Sequence, residues 1–363
     1  MRVGYHAPLP PARTGVADYA QALLDALRAY CDVVPNAGTA DVHLYQLGNN
    51  QLHRSIYERA ISHPGVVLLH DANLHHFYLG ALGREAYLDE FCKQYGSWYR
   101  SFALQLWDRR ALSAGDERYF RYPMLRTAIQ SATTVIVHNA AAAAIVAAHG
   151  VRCPVIELPH LFSAPRLPAD YEVLALRYQL GLSGSDYLFG VFGHLRESKR
   201  LGCILRAYHK ARSKDTKIRL GIAGQFVSST LEQSLMPSAA VLRIPGILPE
   251  QDFWKYAQAI DACINLRYPS CGETSGIAIR MMGIGKPVLM TAGEELAAFP
   301  WGSYVPIDTG LGEEAHLEEW MLSLARFRKY GKEIGGLARR HIRREHAAPD
   351  VAQRLYEVLN RLQ

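Results

Sequence analysis

The sequence predicts an α/β fold with two Rossmann-like domains, each built on a parallel sheet. Short apolar runs alternate with helical patterns through both halves of the chain, which is typical of βαβ units. A length of 363 residues exceeds what one ordinary hydrophobic core holds and favours two domains. The alternation breaks once, over residues 161–186, where prolines and glycines cluster and we expect the domain linker.

Apolar runs and helical periodicity predict the elements of the first half. A short apolar run between turn signals favours a buried strand, and apolar residues at helical spacing favour a helix. The predicted strands and helices are, in order, strand 2–6, helix 16–30, strands 41–47, 65–69 and 134–138, helix 140–148 and strand 155–158.

The second half restarts the same pattern after a short helix in the linker. A further strand is expected to open at Gly-Lys-Pro-Val, residues 285–288, and the tail 313–362 is amphipathic and helical. The other predicted elements are strand 188–193, helix 201–211, strands 218–223 and 241–244, helix 250–260, strand 262–266 and helix 272–283.

Composition excludes several classes of protein. Apolar residues make up 49% of the chain and charged residues 20%, which is normal for a globular protein. No apolar run approaches the roughly 20 residues that span a bilayer, and the N-terminus lacks the hydrophobic core of a signal peptide. The sequence therefore predicts a cytoplasmic protein, with the inner face of the membrane as an alternative location. The six cysteines show no CxxC spacing, so neither a zinc site nor a disulfide framework is predicted.

Basic and aromatic residues alternate between residues 93 and 126. This segment contains seven Lys or Arg residues and three acidic residues, and the net charge of the whole chain is +6. Such a stretch can bind nucleic acid, sugar rings or an interface, but a helical insertion that packs its aromatic rings inward is the favoured interpretation. We expect no nucleic-acid partner, and peripheral contact with a membrane stays open.

The stretch 262–288 carries the strongest functional signal. An apolar run leads into a glycine-rich turn with one carboxylate, Glu273, and a helical pattern follows. Bare amides at a helix start suit anionic and hydroxyl-rich ligands. The stretch resembles the donor-sugar loop of retaining glycosyltransferases of family 4, through Pro269, Ser270, Glu273, Gly276, Gly285, Pro287 and Val288.

The resemblance implies the GT-B fold, with two Rossmann-like domains that face each other across a cleft. Residues 1–165 would form an acceptor domain and 166–340 a domain for the nucleotide-sugar donor. The helix at 341–363 would cross back to the first domain. The resemblance further implies that Glu273 binds the donor sugar as a catalytic residue and that the following backbone amides bind the donor, at Thr274, Ser275, Gly276 and Ile277.

One departure from the family's motif lies in the helix after this loop. The family has a second Glu eight residues after the first, where it contacts the ribose of the nucleotide. This chain has Met281 at that position and Arg280 one residue earlier. Arg280 is therefore predicted to bind the donor phosphate, or another carboxylate, instead of the ribose.

A second motif follows the strand 188–193 and is similar to the family's diphosphate motif. Gly193 and Lys199 match it, His194 stands where the family has Arg, and Arg200 stands where it has Gly. Arg196 is expected to supply the displaced guanidinium, and Lys199 is expected to be catalytic. A solvated basic helix start is the alternative, although cations oppose the helix dipole there, which itself suggests a bound anion.

The first half is expected to supply the opposing wall of the site. Thr14 and Gly15 lie in the first strand-to-helix loop, which resembles the family's glycine-containing loop near the transferred sugar and the acceptor. The resemblance assigns Thr14 to the acceptor and Gly15 to the donor. His70 lies at the end of a predicted strand, where ligands bind in parallel sheets. Many members of the family have a histidine there that touches the donor sugar, so the resemblance implies that His70 is catalytic. Asp71 and Asn49 are further candidates for acceptor binding, although a structural cap is the common role of such residues.

We expect this chain to transfer a sugar from a nucleotide-diphosphate sugar with retention of configuration, to a glycan, lipid-linked or small-molecule acceptor, as in polysaccharide biosynthesis. No metal or other cofactor is expected, because no two aspartates are separated by one residue to form the metal-holding pair. An inverting enzyme would need a carboxylate base, for which Asp71 is the candidate. A nucleotide-sugar epimerase and a non-catalytic binder of sugar nucleotides are the alternative functions.

Overall fold

The computed structural model describes residues 1–12, 14–234, 241–244, 246 and 248–362. Within this part of the chain it contains two six-stranded sheets in which every pairing is parallel. The prediction of an α/β fold with two Rossmann-like sheets is therefore confirmed.

The first sheet uses the strands of the N-terminal half. Their order in space is β2-β1-β3-β4-β5-β6. The strands are β1 (Arg2–His6), β2 (Asp32–Pro35), β3 (Val42–Leu47), β4 (Val66–Leu69), β5 (Thr134–Val137) and β6 (Val155–Glu157).

The second sheet has the order β12-β11-β10-β7-β8-β9. Counted along its own half of the chain, this is the strand order of a dinucleotide-binding Rossmann fold. The strands are β7 (Tyr187–Phe192), β8 (Ile218–Ala223), β9 (Val241–Ile244), β10 (Ala262–Asn265), β11 (Val288–Thr291) and β12 (Val305–Ile307).

Helices connect these strands. The first eight are α1 (Gly15–Leu27), α2 (Arg54–Ser62), α3 (His75–Ala81), α4 (Arg84–Tyr95), α5 (Arg100–Asp108), α6 (Glu117–Arg121), α7 (Arg126–Gln130) and α8 (Ala140–Ala148). The others are α9 (Asp170–Gln179), α10 (Leu201–Lys214), α11 (Ser229–Ser234), α12 (Glu250–Ala259), α13 (Gly276–Gly283), α14 (Glu313–Arg326), α15 (Arg328–Glu345) and α16 (Ala348–Asn360). Short 3-10 helices cover Gln51–His53, Ser97–Tyr99, Arg110–Gly115, Glu197–Lys199 and Glu294–Leu296.

The chain divides into two compact units that each contain one sheet. The first unit comprises Met1–Ser163, Pro269–Gly276 and Glu345–Gln363, and the second comprises Ala164–Tyr268 and Ile277–Arg344. The first unit therefore includes the loop that carries Glu273 and the last helix, α16. The assignment of acceptor and donor roles to the two halves stays a prediction.

Alternating strand residues build two cores in the first unit. Val66 and Leu68 point to a core that includes residues of α1 and α16, whereas Val67 and Leu69 point to one that includes residues of α2 to α8. This follows from the two-residue period of a strand, which sends successive side chains to opposite faces. Each fully buried Val or Leu contributes roughly 1.5–3 kcal/mol through the hydrophobic effect.

The aromatic residues of 93–126 belong to one of these cores, as the favoured interpretation predicted. Tyr119 is fully buried, and other rings of the segment pack against the same core while Trp98 stays 80% exposed. The partly buried rings are those of Tyr95, Tyr99, Phe102, Trp107, Phe120 and Tyr122.

Several predicted boundaries were wrong. The helix predicted at 272–283 begins at Gly276, because Gly272 has a φ of +70° and residues before Gly276 form a turn. The tail predicted as one helical stretch is three helices, α14 to α16. Strands β2 and β12 were not predicted, since each is only three or four residues long and gives little periodicity.

No helix in the described ranges is long and apolar enough to cross a membrane. All six cysteines are free thiols.

Candidate functional site

The second sheet has a topological switch point between β7 and β10. The strand order reverses direction there, and ligands of open parallel sheets bind beyond the carboxyl ends of the strands at this point. Phe192 ends β7 and Asn265 ends β10. The two predicted motifs, at 193–200 and 267–288, therefore follow the two strands that flank the switch point.

Lys199 joins these two strand ends. Its Nζ donates to the carbonyl oxygen of Phe192 at 2.9 Å and to Oδ1 of Asn265 at 3.3 Å. The side chain is only 5% exposed, and neither of these two acceptors carries a negative charge. A buried ammonium at the carboxyl ends of parallel strands is well placed to stabilise an anion.

Gly193 lies directly beside this ammonium. Its φ of +99° is in the left-handed region that favours glycine, and a Cβ at this position would lie 3.8 Å from Nζ of Lys199 and 3.6 Å from Cγ1 of Ile277. The structure thus brings Gly193, Lys199 and Ile277 together within the second unit. Arg196 is exposed and precedes the 3-10 helix Glu197–Lys199.

Arg200 has a structural partner. Its backbone is left-handed, with a φ of +58°, a conformation that favours glycine. The guanidinium Nε donates to Oε1 and Oε2 of Glu313 at 3.1 and 3.0 Å, and Nη2 donates to Oε2 as well. Because Glu313 is almost fully buried, this ion pair accounts for an arginine where glycine is favoured.

Arg280 lies against the aromatic rings of α12. Its guanidinium carbon is 5.4 Å from the ring centroid of Phe253 and 6.0 Å from that of Trp254. These cation–π contacts fix the direction of the side chain. Its role in donor binding stays a prediction.

Sequence reasoning missed Asn265 and Tyr268 in the second unit. Asn265 is 2% exposed and binds Lys199, and the Tyr268 amide donates to the carbonyl oxygen of Ser198 at 2.8 Å. A polar residue at the end of the apolar run 262–266 was the available signal. A buried asparagine needs hydrogen-bond partners, so it marks a strand end that contacts another polar group.

In the first unit, α1 begins at the loop that follows β1. Thr14 caps this helix, because its Oγ1 accepts from the Ala17 amide at 3.1 Å. A Cβ at Gly15 would meet no described atom within 4 Å, so the space beside this residue is open. Arg13, in the same loop, lies outside the described residues. Thr14 thus has a structural role, and Gly15 leaves room at the first turn of α1.

His70 follows β4 and is held by a chain of hydrogen bonds. Its Nε2 lies 2.9 Å from Oε1 of Gln46, whose Nε2 donates to the hydroxyl of Tyr5 at 2.5 Å. Since Oε1 only accepts, Nε2 of His70 carries the proton in the neutral ring. Burial lowers the pKa of His70 well below its ordinary value, so the ring is neutral at pH 7.

Asn49 and Asp71 bind each other at the ends of β3 and β4. The backbone N–H of Asn49 donates to Oδ2 of Asp71 at 2.8 Å. The side-chain Oδ1 of Asn49 accepts from the backbone N–H of Phe77, in the first turn of α3, at 2.9 Å. The Asn49 side chain also lies 3.2 Å from Nδ1 of His76. Both residues thus have structural roles close to the carboxyl edge of the first sheet.

The loop 269–276 is stabilised by its own side chains. Oε2 of Glu273 accepts from the Cys271 amide at 2.7 Å, and Oγ of Ser270 accepts from the Gly272 amide at 3.0 Å. Gly272 supplies the left-handed conformation that the turn requires. The Glu273 carboxylate is therefore held in a fixed orientation by the turn.

Asn139 and Ala72 anchor this loop at the carboxyl edge of the first sheet. Nδ2 of Asn139 donates to the Gly272 carbonyl oxygen and to Oγ1 of Thr274, both at 3.0 Å. The Ala72 amide donates to the Cys271 carbonyl oxygen at 2.9 Å. The structure thus brings the Glu273 loop to the segment that carries His70 and Asp71, directly before Ala72.

The role of Asn139 was not predicted, although its sequence context carried a signal. Asn139 directly precedes the alanine-rich helix α8 and caps it, since Oδ1 accepts from the Ala142 amide at 2.8 Å. Asparagine before a helical run is a known capping signal. The side-chain Nδ2 of Asn139 also binds Thr274, which lies 135 residues later in the chain. Such a long-range contact gives no local pattern in the sequence.

No group of three or more His, Cys, Asp or Glu side chains in the described part of the chain is arranged to hold a metal ion.

Solved structures of glycosyltransferases resemble this chain over nearly its whole length. No protein-family model and no curated protein sequence matches it. HepE of Anabaena in complex with UDP-glucose shares 14% identity at a TM-score of 0.65, covering 99% of this chain and 100% of HepE. Sucrose-phosphate synthase of Thermosynechococcus elongatus shares 12% identity at a TM-score of 0.68, covering 100% of this chain and 99% of the synthase. The fold is GT-B.

A third similar structure is the pneumococcal O-GlcNAc transferase GtfA in complex with UDP and GlcNAc. It shares 10% identity at a TM-score of 0.56, covering 88% of this chain and 57% of GtfA. Identities at this level show a common fold, and the activity has to be argued from the residues of the site.

Proposed function

We propose that this chain is a glycosyltransferase that uses a nucleotide-diphosphate sugar as donor. The observation that carries the proposal is Lys199, a buried ammonium that joins the two strand ends at the switch point of a Rossmann-like sheet. A departing diphosphate needs positive charge at such a place. HepE, which has the same fold, binds UDP-glucose.

The proposed reaction retains the anomeric configuration of the sugar and needs no metal. The acceptor oxygen forms a bond to the anomeric carbon on the face that the diphosphate leaves, while the bond to the diphosphate oxygen breaks. That oxygen takes the proton of the acceptor hydroxyl. Lys199 and Arg196 stabilise the negative charge that grows on the diphosphate, so no side-chain nucleophile is required.

Glu273 is proposed to bind a hydroxyl of the donor sugar, with the amides of Thr274 to Ile277 as further donors. What supports this role is the turn itself, since the Cys271 amide holds the carboxylate in place. An ionised acceptor binds a hydroxyl about twice as strongly as a neutral one does. His70, neutral and fixed by Gln46, is proposed to contact the donor sugar as well.

The acceptor is proposed to be a glycan, a lipid-linked sugar or a small molecule.

Peripheral contact with an anionic membrane is also proposed. Trp98 and Leu112 support it, since they are 80% and 71% exposed within the basic segment 93–126. Sedimentation with vesicles that contain anionic lipid tests this contact. Equal recovery of a Trp98→Ala variant and the unaltered protein with the vesicles would exclude a role for Trp98.

A panel of sugar nucleotides tests the function. Thermal unfolding is measured with each sugar nucleotide and each free nucleoside diphosphate, and a ligand at about a hundred times its dissociation constant should stabilise by about 2.7 kcal/mol. The donor that binds is then incubated with chelator, with and without acceptors. Transfer or slow donor hydrolysis with retention supports the proposal, whereas inversion or a strict need for magnesium refutes the mechanism.

The two alternatives give different results in the same experiment. An epimerase converts the sugar nucleotide without any acceptor, and a non-catalytic binder is stabilised by it without turnover. If no sugar nucleotide and no nucleoside diphosphate binds, the proposed function is wrong.

A further inference from the structure

Three adjacent strands of the first sheet are each followed by a histidine at their carboxyl ends. His70 directly follows β4, His138 directly follows β5, and His160 lies shortly after β6. Their rings surround Tyr19 of α1, with ring centroids 4.9, 5.3 and 4.7 Å from that of Tyr19. These four residues form what we call the Tyr19 cluster.

Two buried polar atoms of the Tyr19 cluster have no hydrogen-bond partner among the described residues. They are the hydroxyl oxygen of Tyr19, a side chain that is 4% exposed, and Nε2 of His138, which is 6% exposed. A buried polar group without a partner costs about 1–3 kcal/mol. Two such atoms in one cluster indicate a place where a polar group of a ligand binds.

The hydrogen bonds of His138 define what Nε2 can bind. Its Nδ1 lies 2.9 Å from the carbonyl oxygen of Leu158, which only accepts, so Nδ1 carries the proton. Burial lowers the pKa of His138 to about 4, and the ring is therefore neutral at pH 7. Nε2 is then a bare acceptor, which requires a donor such as O–H.

The Tyr19 hydroxyl complements this acceptor. It can donate one hydrogen bond and accept others. A hydroxyl has both properties that these atoms require, since it can donate to Nε2 of His138 and can accept from the Tyr19 hydroxyl. A phosphate does not suit this pair, because at neutral pH it offers mainly acceptor oxygens and the cluster presents a bare acceptor nitrogen.

The Tyr19 cluster adjoins the loop 269–276. A Cβ at Gly276 would lie 3.4 Å from Nε2 of His160, so the last residue of the loop lies beside this imidazole. Both belong to the first unit of the chain. The loop that holds the Glu273 carboxylate and the two unpartnered atoms thus occupy one region of the first unit.

We propose that Tyr19 and His138 form a hydroxyl-binding subsite that selects and orients a sugar hydroxyl. This inference rests on the proposed function, since it assumes that a sugar nucleotide binds. In this proposal, Tyr19 of α1 and His138 at the end of β5 join the site and contact a hydroxyl of the transferred sugar. The same chemistry would suit a hydroxyl of the acceptor, and the experiment separates the two sources.

The test uses Tyr19→Phe, which removes only the hydroxyl, and His138→Asn, whose amide still reaches the Leu158 carbonyl but lacks Nε2. Tyr45→Phe is the control for the loss of a buried tyrosine hydroxyl elsewhere in the first unit, where the hydroxyl of Tyr45 lies close to Arg59. The Tyr45 ring stacks on His6 and His43, so it belongs to a different cluster. Affinities for the sugar nucleotide and for its free nucleoside diphosphate are measured by calorimetry, together with the free energy of unfolding.

The proposal predicts opposite effects on stability and on binding. Tyr19→Phe should leave the protein as stable as before or more stable, since it deletes an unpaired buried group. It should weaken sugar-nucleotide binding by about tenfold, as a lost hydrogen bond of about 1.4 kcal/mol does, and leave nucleoside diphosphate binding unchanged. His138→Asn should do the same to binding, and Tyr45→Phe should change neither affinity.

The remaining outcomes decide between the sources and can overturn the proposal. Unchanged donor affinity with a raised KM for the acceptor would assign the hydroxyl to the acceptor and overturn its assignment to the transferred sugar. Unchanged affinity and turnover in both variants would show that the two atoms hold only a buried water. If the unaltered protein binds no sugar nucleotide, the proposed function fails and this subsite fails with it.

Discussion

At the scale of single residues, two lysines of the second unit bind carbonyl oxygens at opposite ends of the strands in the same sheet. Lys199 binds the end of β7, whereas Lys286 donates to Gln258 and Ile260 at 2.8 and 2.7 Å, before β10 begins. Both ammonium groups contact backbone carbonyls, but only Lys199 lies at the carboxyl ends of the strands. Lys286 is therefore a matched control for Lys199.

Lys199→Met should reduce transfer by about a hundredfold or more, because the removal of one preorganised charge donor typically costs that much. The donor diphosphate should also bind more weakly. Lys286→Met should lower the free energy of unfolding and leave kcat unchanged. Initial rates at saturating donor and urea unfolding check both variants, and transfer by Lys199→Met at the unaltered rate would remove Lys199 from the site.

Arg200→Gly tests why an arginine occupies a left-handed position. Glycine relieves about 1–2 kcal/mol of backbone strain, but it leaves the buried Glu313 carboxylate without its ion pair, which costs about 3–5 kcal/mol. The variant should therefore be less stable in urea unfolding. Adding Glu313→Gln, which removes the buried charge, should restore most of the loss. An Arg200→Gly protein more stable than the original would show that the ion pair contributes nothing.

Some of these residues could be predicted from local sequence and others could not. Gly193 and Lys199 lie at motif spacing after a clear strand, so both were found. Asn265 was missed, since its contact with Lys199 joins positions 66 residues apart and depends on β7 and β10 being neighbours. Strand order is a tertiary property that periodicity does not contain.

At the scale of elements, the loop 269–276 depends on the end of β5. Asn139 holds the loop through Nδ2 and caps α8 through Oδ1. One side chain thus stabilises a helix and orients the turn that carries Glu273. The loop's own hydrogen bonds, from Cys271 and Gly272 amides, set its shape, whereas Asn139 and Ala72 set its position in the first unit.

Asn139→Ser separates these two functions. Serine can still cap α8, so the free energy of unfolding should change little, but it cannot reach Gly272 and Thr274. Amides of residues 270–276 should exchange faster with deuterium. Transfer should fall by up to about thirtyfold, as expected for two lost hydrogen bonds of about 1 kcal/mol each. Asn139→Ala, which also lacks the cap, should lose a further ~1 kcal/mol of stability. Unchanged exchange in Asn139→Ser would contradict the anchoring role.

The start of α13 shows how tertiary contacts override a local pattern. Helical periodicity from residue 272 onward predicted a helix there, but Gly272 and Glu273 belong to a turn whose carbonyl groups bind Ala72 and Asn139. These long-range bonds satisfy backbone groups that a helix would otherwise have paired. The helix therefore begins only at Gly276.

At the scale of the whole molecule, neutral buried histidines concentrate in the first unit. Burial lowers the pKa of His53 and His138 to about 4, that of His75 to about 3 and that of His70 well below its ordinary value. All four lie in Met1–Ser163. The first unit thus contains several rings that resist protonation while it is folded.

Acid should therefore destabilise the first unit. Well above pH 6.5 these histidines are neutral in both the folded and the unfolded chain, so their contribution to the free energy of unfolding is complete. As the pH falls below 6.5 the unfolded chain binds protons that the folded chain does not, and each ring with a folded pKa near 4 costs about 2 kcal/mol between about pH 7 and about pH 5.

Hydrogen exchange at about pH 5 and about pH 7, corrected for the intrinsic rates, measures this effect. Protection should fall in the first unit, whereas amides of β7 and β8 in the second unit are the internal control. His138→Asn should reduce the acid sensitivity, because one of the buried rings is gone. A first unit that keeps its full protection at the lower pH would contradict the expected acid lability.

The sequence by itself determined the fold class, the approximate strands and helices, and the positions of the two motifs, because hydrophobic periodicity and turn residues are local properties. Only the tertiary structure decided that Lys199 binds Asn265, that Asn139 holds the Glu273 loop and that three histidines surround Tyr19. These contacts join residues far apart in the chain. They depend on which parallel strands lie side by side, and strand order follows from how the whole unit buries its two cores.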